Sequence, residues 1–276
     1  MDRRTVLFTL LLAVAAAGSS AKDAQYKISS ADATALTKTL EAAVKRGDAP
    51  GLVAMVVDRQ GEIYQAAAGK LDDARNVPMP ANAIFNIASM TKPVTSVAVM
   101  MLYEQGKIGL DDPVSKFLDG FDKLQVITKF NEADGTYETR PASRPMTIRH
   151  LLTNTSGLGY AFSSPVMARL QQGNTKLEWE FPLLHDPGAK WTYGPSTRVL
   201  GLIIEKLTGT PLEDHYQQKL FKPLGMVDTS YAVAADKQSR LTPPHRLVDG
   251  KREQPPLTNV VSKPAPPYRG DGGLYS

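Results

Sequence analysis

Phe85-Asn86-Ile87-Ala88-Ser89-Met90-Thr91-Lys92-Pro93 places a serine and a lysine three residues apart, just ahead of a proline. In a helix, positions three apart share a face, one turn above the other. Proline is tolerated in a helix's first turn, where its missing N–H has no partner to lose. The helix is therefore expected to start near Ser89, with the hydroxyl beside its positive end. Downstream, Val94, Val97, Ala98, Met101 and Leu102 carry the spacing of a buried stripe, and Gly106 is a stop signal.

This geometry permits nucleophilic catalysis. Serine is a poor nucleophile and needs a base within hydrogen-bond reach. Lysine can serve as that base where burial and a neighbouring positive dipole disfavour its charged form. Phe85, Ile87, Ala88 and Met90 are the apolar flanks expected to supply the burial. The spacing alone carries little weight. Ser19 and Lys22 repeat it, and an ordinary helix start with a solvent-facing lysine has the same pattern.

The 276 residues are 42% hydrophobic, enough for one large domain or two small ones. Arg3 and Arg4, an apolar run over 6–17 and the small residues Ser19-Ser20-Ala21 read as a signal peptide over residues 1–21. Cleavage is favoured over a membrane anchor because the apolar run is short. A periplasmic or secreted location in a bacterium is expected, with no stable membrane association after cleavage. The absence of cysteine excludes lipoprotein attachment, disulfides and thiolate metal sites. The net charge is +4 with the basic residues scattered, which argues against nucleic acid as a partner. No P-loop, His-Glu-x-x-His or Gly-x-Ser-x-Gly occurs. His150 reads as structural, and His185, His215 and His245 have no metal-like spacing. No metal or cofactor is expected.

Residues 30–47 predict a surface helix, with Leu36, Leu40, Ala43 and Val44 at helical spacing. Runs over 52–58 and 63–68 flank Arg59-Gln60-Gly61 and predict an antiparallel hairpin. Residues 69–82 read as polar loop. Residues 111–240 read as a mainly helical region with no strong strand, including a short helix over 111–118 and a polar surface loop over 129–145. Thr147 is expected to cap a helix with Ile148, Leu151 and Leu152, ended by Gly157. Residues 193–196 lead into a helix with Val199, Leu200, Ile203, Ile204 and Leu207, closed by Gly209. Thr210-Pro211-Leu212-Glu213 reads as a capping box, followed by Leu212, Tyr216, Leu220 and Phe221 on one face. Residues 242–267 hold seven prolines and read as an extended connection. A two-stranded hairpin is marginal without further strands or packed helices, so the opening sheet reads as unfinished.

Six stretches together resemble the serine β-lactamase-related hydrolases, which include class C β-lactamases, esterases of the same fold and penicillin-binding carboxypeptidases. They are residues 85–92, then Gly106-Lys107-Ile108-Gly109-Leu110-Asp111-Asp112-Pro113-Val114, then residues 147–158 from Thr147-Ile148-Arg149-His150 to Gly157-Leu158. Pro187-Gly188-Ala189-Lys190-Trp191-Thr192-Tyr193, Leu200-Gly201-Leu202-Ile203-Ile204-Glu205 and Pro223-Leu224-Gly225-Met226 complete the set. The resemblance implies an α/β (α+β) fold, an antiparallel sheet with covering helices plus a mainly helical region at 111–240, within a catalytic domain over 22–276. It implies that Ser89 is acylated, that Lys92 accepts its proton and that Tyr193 relays protons. Trp191 and Tyr160 either line a cleft or pack.

Two departures from the family pattern stand out. Tyr-x-Asn of the β-lactamases is here Tyr193-Gly194-Pro195, which removes the amide that contacts a β-lactam side chain and favours ester substrates. The family's third motif, whose strand supplies an oxyanion N–H, is not found, and the chain stops at Gly272-Gly273-Leu274-Tyr275-Ser276. The resemblance implies that the closing C-terminal strands are absent from this chain. Loss of one oxyanion donor slows a serine hydrolase on the order of 100- to 1000-fold. The expected function is an exported serine hydrolase of small esters, with possible turnover of β-lactam amides. The alternatives are a D-Ala-D-Ala carboxypeptidase or D-amino-acid amidase, and a non-catalytic binding protein or inactive fragment.

Overall fold

The computed structural model describes residues 26–73, 75–255, 260 and 262–276. The signal peptide expected over residues 1–21 lies outside them. The chain forms two compact units, one ending at Ala83 and one running from Ile84 to Ser276.

The first unit opens with helix α1 (Ser30–Arg46), whose N-cap Ser29 accepts from the Asp32 N–H and whose C-terminus turns through Gly47. Strands β1 (Gly51–Asp58), β2 (Gly61–Asp72) and β3 (Val77–Pro78) form an antiparallel sheet in the order β1-β2-β3. Asp58 closes the first turn, its Oδ1 accepting from the N–H groups of Gln60 (2.7 Å) and Gly61 (3.1 Å). Helix α1 packs on β2, where the Thr37 and Tyr64 hydroxyls meet at 3.1 Å. The two-stranded hairpin expected from the sequence thus gains both a third strand and a helix. Strand β2 continues past residue 68, and β3 lies in the segment read as polar loop. The polar residues there form the reversal itself. Asp72 accepts from the Arg75 N–H at 2.9 Å and pairs with its guanidinium at 2.6 Å, and Asn76 takes a φ of 55°.

The second unit carries α2 (Thr91–Glu104), the hairpin β4 (Gln125–Phe130) and β5 (Tyr137–Pro141), α3 (Ile148–Leu152), α4 (Pro165–Gln171), α5 (Ser196–Thr208), α6 (Leu212–Tyr216) and the hairpin β6 (Arg246–Val248) and β7 (Lys251–Glu253). Its core joins Leu102 of α2, Leu151 of α3, Leu200 and Ile203 of α5, Tyr216 of α6 and Leu274 near the C-terminus. Helix α5 matches its expected span, with Val199, Leu200, Ile203 and Ile204 buried and Gly209 at its end.

Several expectations need correction. The β4–β5 hairpin occupies much of the supposed surface loop; β5 is fully exposed, so its residues carry no apolar signature. Residues 114–116 form a single 3-10 turn instead of a helix. Helix α3 stops at Leu152, before Gly157. The capping box at Thr210 does not form. Glu205 of α5 accepts from the Leu212 N–H (2.8 Å), while Glu213 turns inward to accept from Ser230 Oγ (2.9 Å) and the Tyr231 N–H (3.1 Å). Within the proline-rich segment, Asp249 and Gly250 both take positive φ (50° and 73°) and close the β6–β7 hairpin with a two-residue turn.

The buried face of α2 is also rotated from the apolar stripe. Val97 is exposed, whereas Thr91, Lys92 and Thr95 are buried with Ala98, Val99 and Leu102. The polar trio is buried because a backbone segment answers it. Leu274 N–H donates to Thr91 Oγ1 (3.2 Å), Lys92 Nζ donates to Asp271 O (2.9 Å), and Thr95 Oγ1 donates to Gly270 O (2.5 Å). The chain then pairs on both sides: Ile87 N–H to Leu274 O at 2.9 Å and Tyr275 N–H to Ser230 O at 2.9 Å.

Gly270 lets this segment lie against α5. A Cβ there would stand 2.3 Å from the Thr197 carbonyl oxygen and 3.1 Å from Gly201 Cα. Gly270→Ala is expected to destabilise the chain by roughly 1–3 kcal/mol, the usual range for overpacking. Urea unfolding measures it, and an unchanged midpoint would contradict the close approach.

Candidate active site

Ser89 sits in a 3-10 turn (Ala88–Met90) that runs directly into α2. Ala88, just before it, takes a φ of 43°, a left-handed conformation that disfavours a residue with a Cβ by about 1–2 kcal/mol. Asn86 Oδ1 accepts from the Ala88 N–H at 2.9 Å and holds the turn. The turn leaves Ser89 exposed at the head of the helix, where first-turn N–H groups point outward without intrahelical partners.

Lys92 is buried one turn on, in the first turn of α2 with Pro93, as the proline predicts. The apolar flanks do not bury it, since Ala88 and Met90 are exposed. Distant residues do. Lys92 Nζ lies 4.8 Å from the Tyr193 ring centroid and 5.4 Å from that of Tyr160. It donates to Ser89 Oγ at 3.1 Å and to Asp271 O at 2.9 Å.

Tyr193 completes the group. Burial pushes its phenol up, but hydrogen bonding with Ser89 and Lys92 and the charge of Lys92 outweigh burial, so the phenol lies below its ordinary value. The departures at the next two residues have structural reasons. A Cβ on Gly194 would fall 2.1 Å from the Leu158 carbonyl oxygen. Pro195 is buried as the N-cap residue of α5. Neither can offer a side-chain amide to a substrate.

Sequence reasoning missed the partner on the far side of Lys92. The Asp271 carboxylate is buried and bound twice by Arg269, from Nε at 3.0 Å and Nη2 at 2.9 Å, and the Tyr160 hydroxyl donates to it. Burial pushes the Asp271 carboxyl up, yet its hydrogen bonds from Arg269 and Tyr160 and the charges of Arg269 and Lys92 bring it below its ordinary value. Tyr160 responds in the opposite sense to Tyr193. Burial and its bond to the Asp271 carboxylate hold the phenol far above 10 and keep it a neutral donor. The signal in the sequence is an aspartate set among glycines at Gly270-Asp271-Gly272-Gly273.

A cleft of about 520 Å³ opens over Ser89, lined by Tyr160, Phe162, Gln171, Glu178, Arg269 and Gly272 among others. Of the two cleft candidates, Tyr160 both lines the cleft and binds Asp271, while Trp191 is largely exposed and stacks on Tyr193 at 6.0 Å. His150 closes a capping box with Thr147 and His185 bonds Thr192 Oγ1 at 2.8 Å. Among the described residues no group of three or more His, Asp or Glu side chains is arranged to hold a metal, and no helix is long and apolar enough to cross a membrane.

Because Lys92 lowers the Tyr193 phenol, removing its charge must raise it. In Lys92→Met, the tyrosinate signal that Tyr193→Phe abolishes is expected at higher pH than in the parent chain. Ultraviolet difference titration checks this, and a shift to lower pH would contradict the assigned contact.

The family model described as Beta-lactamase matches residues 36–276. An uncharacterized protein of Mycobacterium tuberculosis (strain CDC 1551 / Oshkosh) is 35% identical over 238 residues, 82% of this chain and 59% of that protein. Lovastatin esterase of Penicillium rubens is 31% identical over 224 residues, 76% of this chain and 55% of that protein. A solved simvastatin synthase mutant from Aspergillus terreus superposes with a TM-score of 0.77 at 28% identity, covering 91% of this chain and 65% of that one. The chain thus spans about half the length of the curated relatives it matches, among which are also acyltransferases. With the family match covering most of its length and a serine, lysine and tyrosine gathered at the head of α2, the chain belongs to the β-lactamase family of serine hydrolases and acyltransferases.

Proposed function

We propose that this chain belongs to an exported serine hydrolase that forms an acyl-enzyme on Ser89 and acts chiefly as a carboxylesterase on small esters. The observation that carries the reading is the 3.1 Å contact from Lys92 Nζ to Ser89 Oγ, with the Tyr193 ring 4.8 Å from the same Nζ. Ser89 Oγ attacks the ester carbonyl, and its proton passes into the Lys92–Tyr193 pair. The Ser89 N–H supplies an oxyanion donor at the helix head. Collapse of the tetrahedral adduct breaks the bond to the alkoxy group, which leaves as the alcohol with the proton returned by Tyr193. Water then attacks the acyl carbon and gives a proton to the same pair; the bond to Ser89 Oγ breaks, the proton returns to Oγ and the carboxylic acid leaves.

Three observations favour esters over β-lactams and D-peptides. Buried Pro195 stands where an asparagine would contact a substrate amide. The cleft wall at residues 160–162 is two aromatic rings and an alanine, with Tyr160 and Phe162 stacked at 4.9 Å. One relative is named as an esterase. Export rests on the charged, apolar and small-residue succession in residues 1–21.

A fluorophosphonate probe is expected to add once, at Ser89, by intact mass and peptide mapping, and not to add to Ser89→Ala. A p-nitrophenyl butyrate assay is expected to show turnover that falls on the order of 10⁴-fold or more in Ser89→Ala, with slower turnover of a chromogenic β-lactam. A folded chain that takes no adduct would leave the binding-protein reading. Faster cleavage of a D-alanyl-D-alanine peptide than of the ester would favour the carboxypeptidase.

A further inference from the structure

We propose that the Asp271 carboxylate, clamped between Arg269 and Tyr160, is the positioning residue that aims Lys92 at Ser89 and Tyr193. This rests on the reading of Ser89, Lys92 and Tyr193 as the reacting groups.

A lysine side chain has four rotatable bonds and a compact ammonium head, so it holds no direction by itself. Here one N–H is taken by the Asp271 carbonyl at 2.9 Å and another by Ser89 Oγ at 3.1 Å, with the Tyr193 ring 4.8 Å from the nitrogen. The Asp271 carbonyl therefore sets the direction of the ammonium, and the side chain of the same residue sets the carbonyl. Its carboxylate is almost fully buried and accepts three hydrogen bonds, two from Arg269 and one from Tyr160. The flanking backbone is pinned as well. The Tyr231 hydroxyl donates to Arg269 O at 2.5 Å and Thr95 Oγ1 donates to Gly270 O at 2.5 Å. Those bonds fix the segment's position. The Asp271 peptide, between glycines on both sides, is held by its carboxylate and by a long contact from the Gly272 N–H to Arg269 O at 3.5 Å.

The carboxylate also acts through its charge. The groups facing Tyr193 are Lys92, Ser89, Tyr160 and Asp271, with Arg269 behind Asp271. Lys92 pulls the Tyr193 phenol down and the Asp271 charge pushes it up. Asp271 thus limits how far Lys92 acidifies Tyr193 while keeping Lys92 in place. A residue with a purely structural role would affect stability without moving that balance.

The test uses the 276-residue chain and its Asp271→Asn and Tyr160→Phe variants, with Tyr193→Phe as the titration reference. Asp271→Asn keeps the size and removes the charge. Its fluorophosphonate labelling rate is expected to fall roughly tenfold to hundredfold, the scale of a small misplacement of a reacting group. Its Tyr193 titration is expected to move to lower pH. Tyr160→Phe removes one bond to the carboxylate and keeps the charge; it is expected to label several-fold more slowly, with the Tyr193 midpoint moving less than in Asp271→Asn. A folded Asp271→Asn with the parent's labelling rate and the parent's Tyr193 midpoint overturns the proposal. If Asp271→Asn does not fold, a parental labelling rate in Tyr160→Phe overturns it and a several-fold loss supports it. Should the parent chain take no adduct at all, the reading of the site as a hydrolase fails by itself. The Tyr193 midpoint of Asp271→Asn, or of Tyr160→Phe if the former is unfolded, still decides whether Asp271 governs the group: a shift supports the proposal and none overturns it.

Discussion

The second unit depends on the contact between the polar first turns of α2 and the backbone of residues 270–274. Thr91, Lys92 and Thr95 face inward where an apolar stripe would be the ordinary solution. Left unpaired, each buried polar group would cost about 1–3 kcal/mol. Each instead meets a backbone group of that segment, and Thr95 also meets the Tyr216 hydroxyl at 2.7 Å. The register of the late segment on the early helix is thereby determined, because sliding it by one residue would break all three of these bonds at once. Gly270 and Gly201 make the approach possible by leaving no side chain between the segment and α5.

The same contact builds the site. A helix start alone would present Ser89 and Lys92 to solvent, where a lysine is a mobile ammonium. The late segment encloses Lys92 from one side and the Tyr160–Tyr193 pair from the other. The left-handed Ala88 tips the serine up at the mouth of the cleft, a small stored strain held by Asn86 and by the pairing of Ile87 with Leu274. Rigid neighbours on both sides of the turn let the strain persist.

Two tyrosines with ring centres 5.6 Å apart are driven in opposite directions. Tyr160 bonds to a carboxylate and is held neutral; Tyr193 bonds to a lysine and is made more acidic. Environments that push like groups apart in this way are a recurring feature of acid–base sites. Burial pushes both phenols up; the Asp271 carboxylate adds to that at Tyr160, whereas Ser89 and Lys92 outweigh it at Tyr193.

The main helices, the first hairpin and the serine–lysine pair were legible in the chain itself. Pro93 locates the start of α2, the 3.6-residue spacing of Val199 to Ile204 defines α5, and the serine–lysine interval places both groups on one face, because each of these depends on residues within a turn or two. Six ordered stretches made the family recognisable, and with it Tyr193. Tertiary structure decided everything that required distant partners. Thr95 rather than Val97 faces the core because Gly270 and Tyr216 answer its hydroxyl. Glu213 turns inward because Ser230 and Tyr231 need an acceptor. Exposed strands such as β5 show no alternation because neither face is buried. Asp271 becomes part of the site only through the fold, since a carboxylate in a glycine-rich segment acquires its role from Arg269, Tyr160 and a lysine 179 residues away.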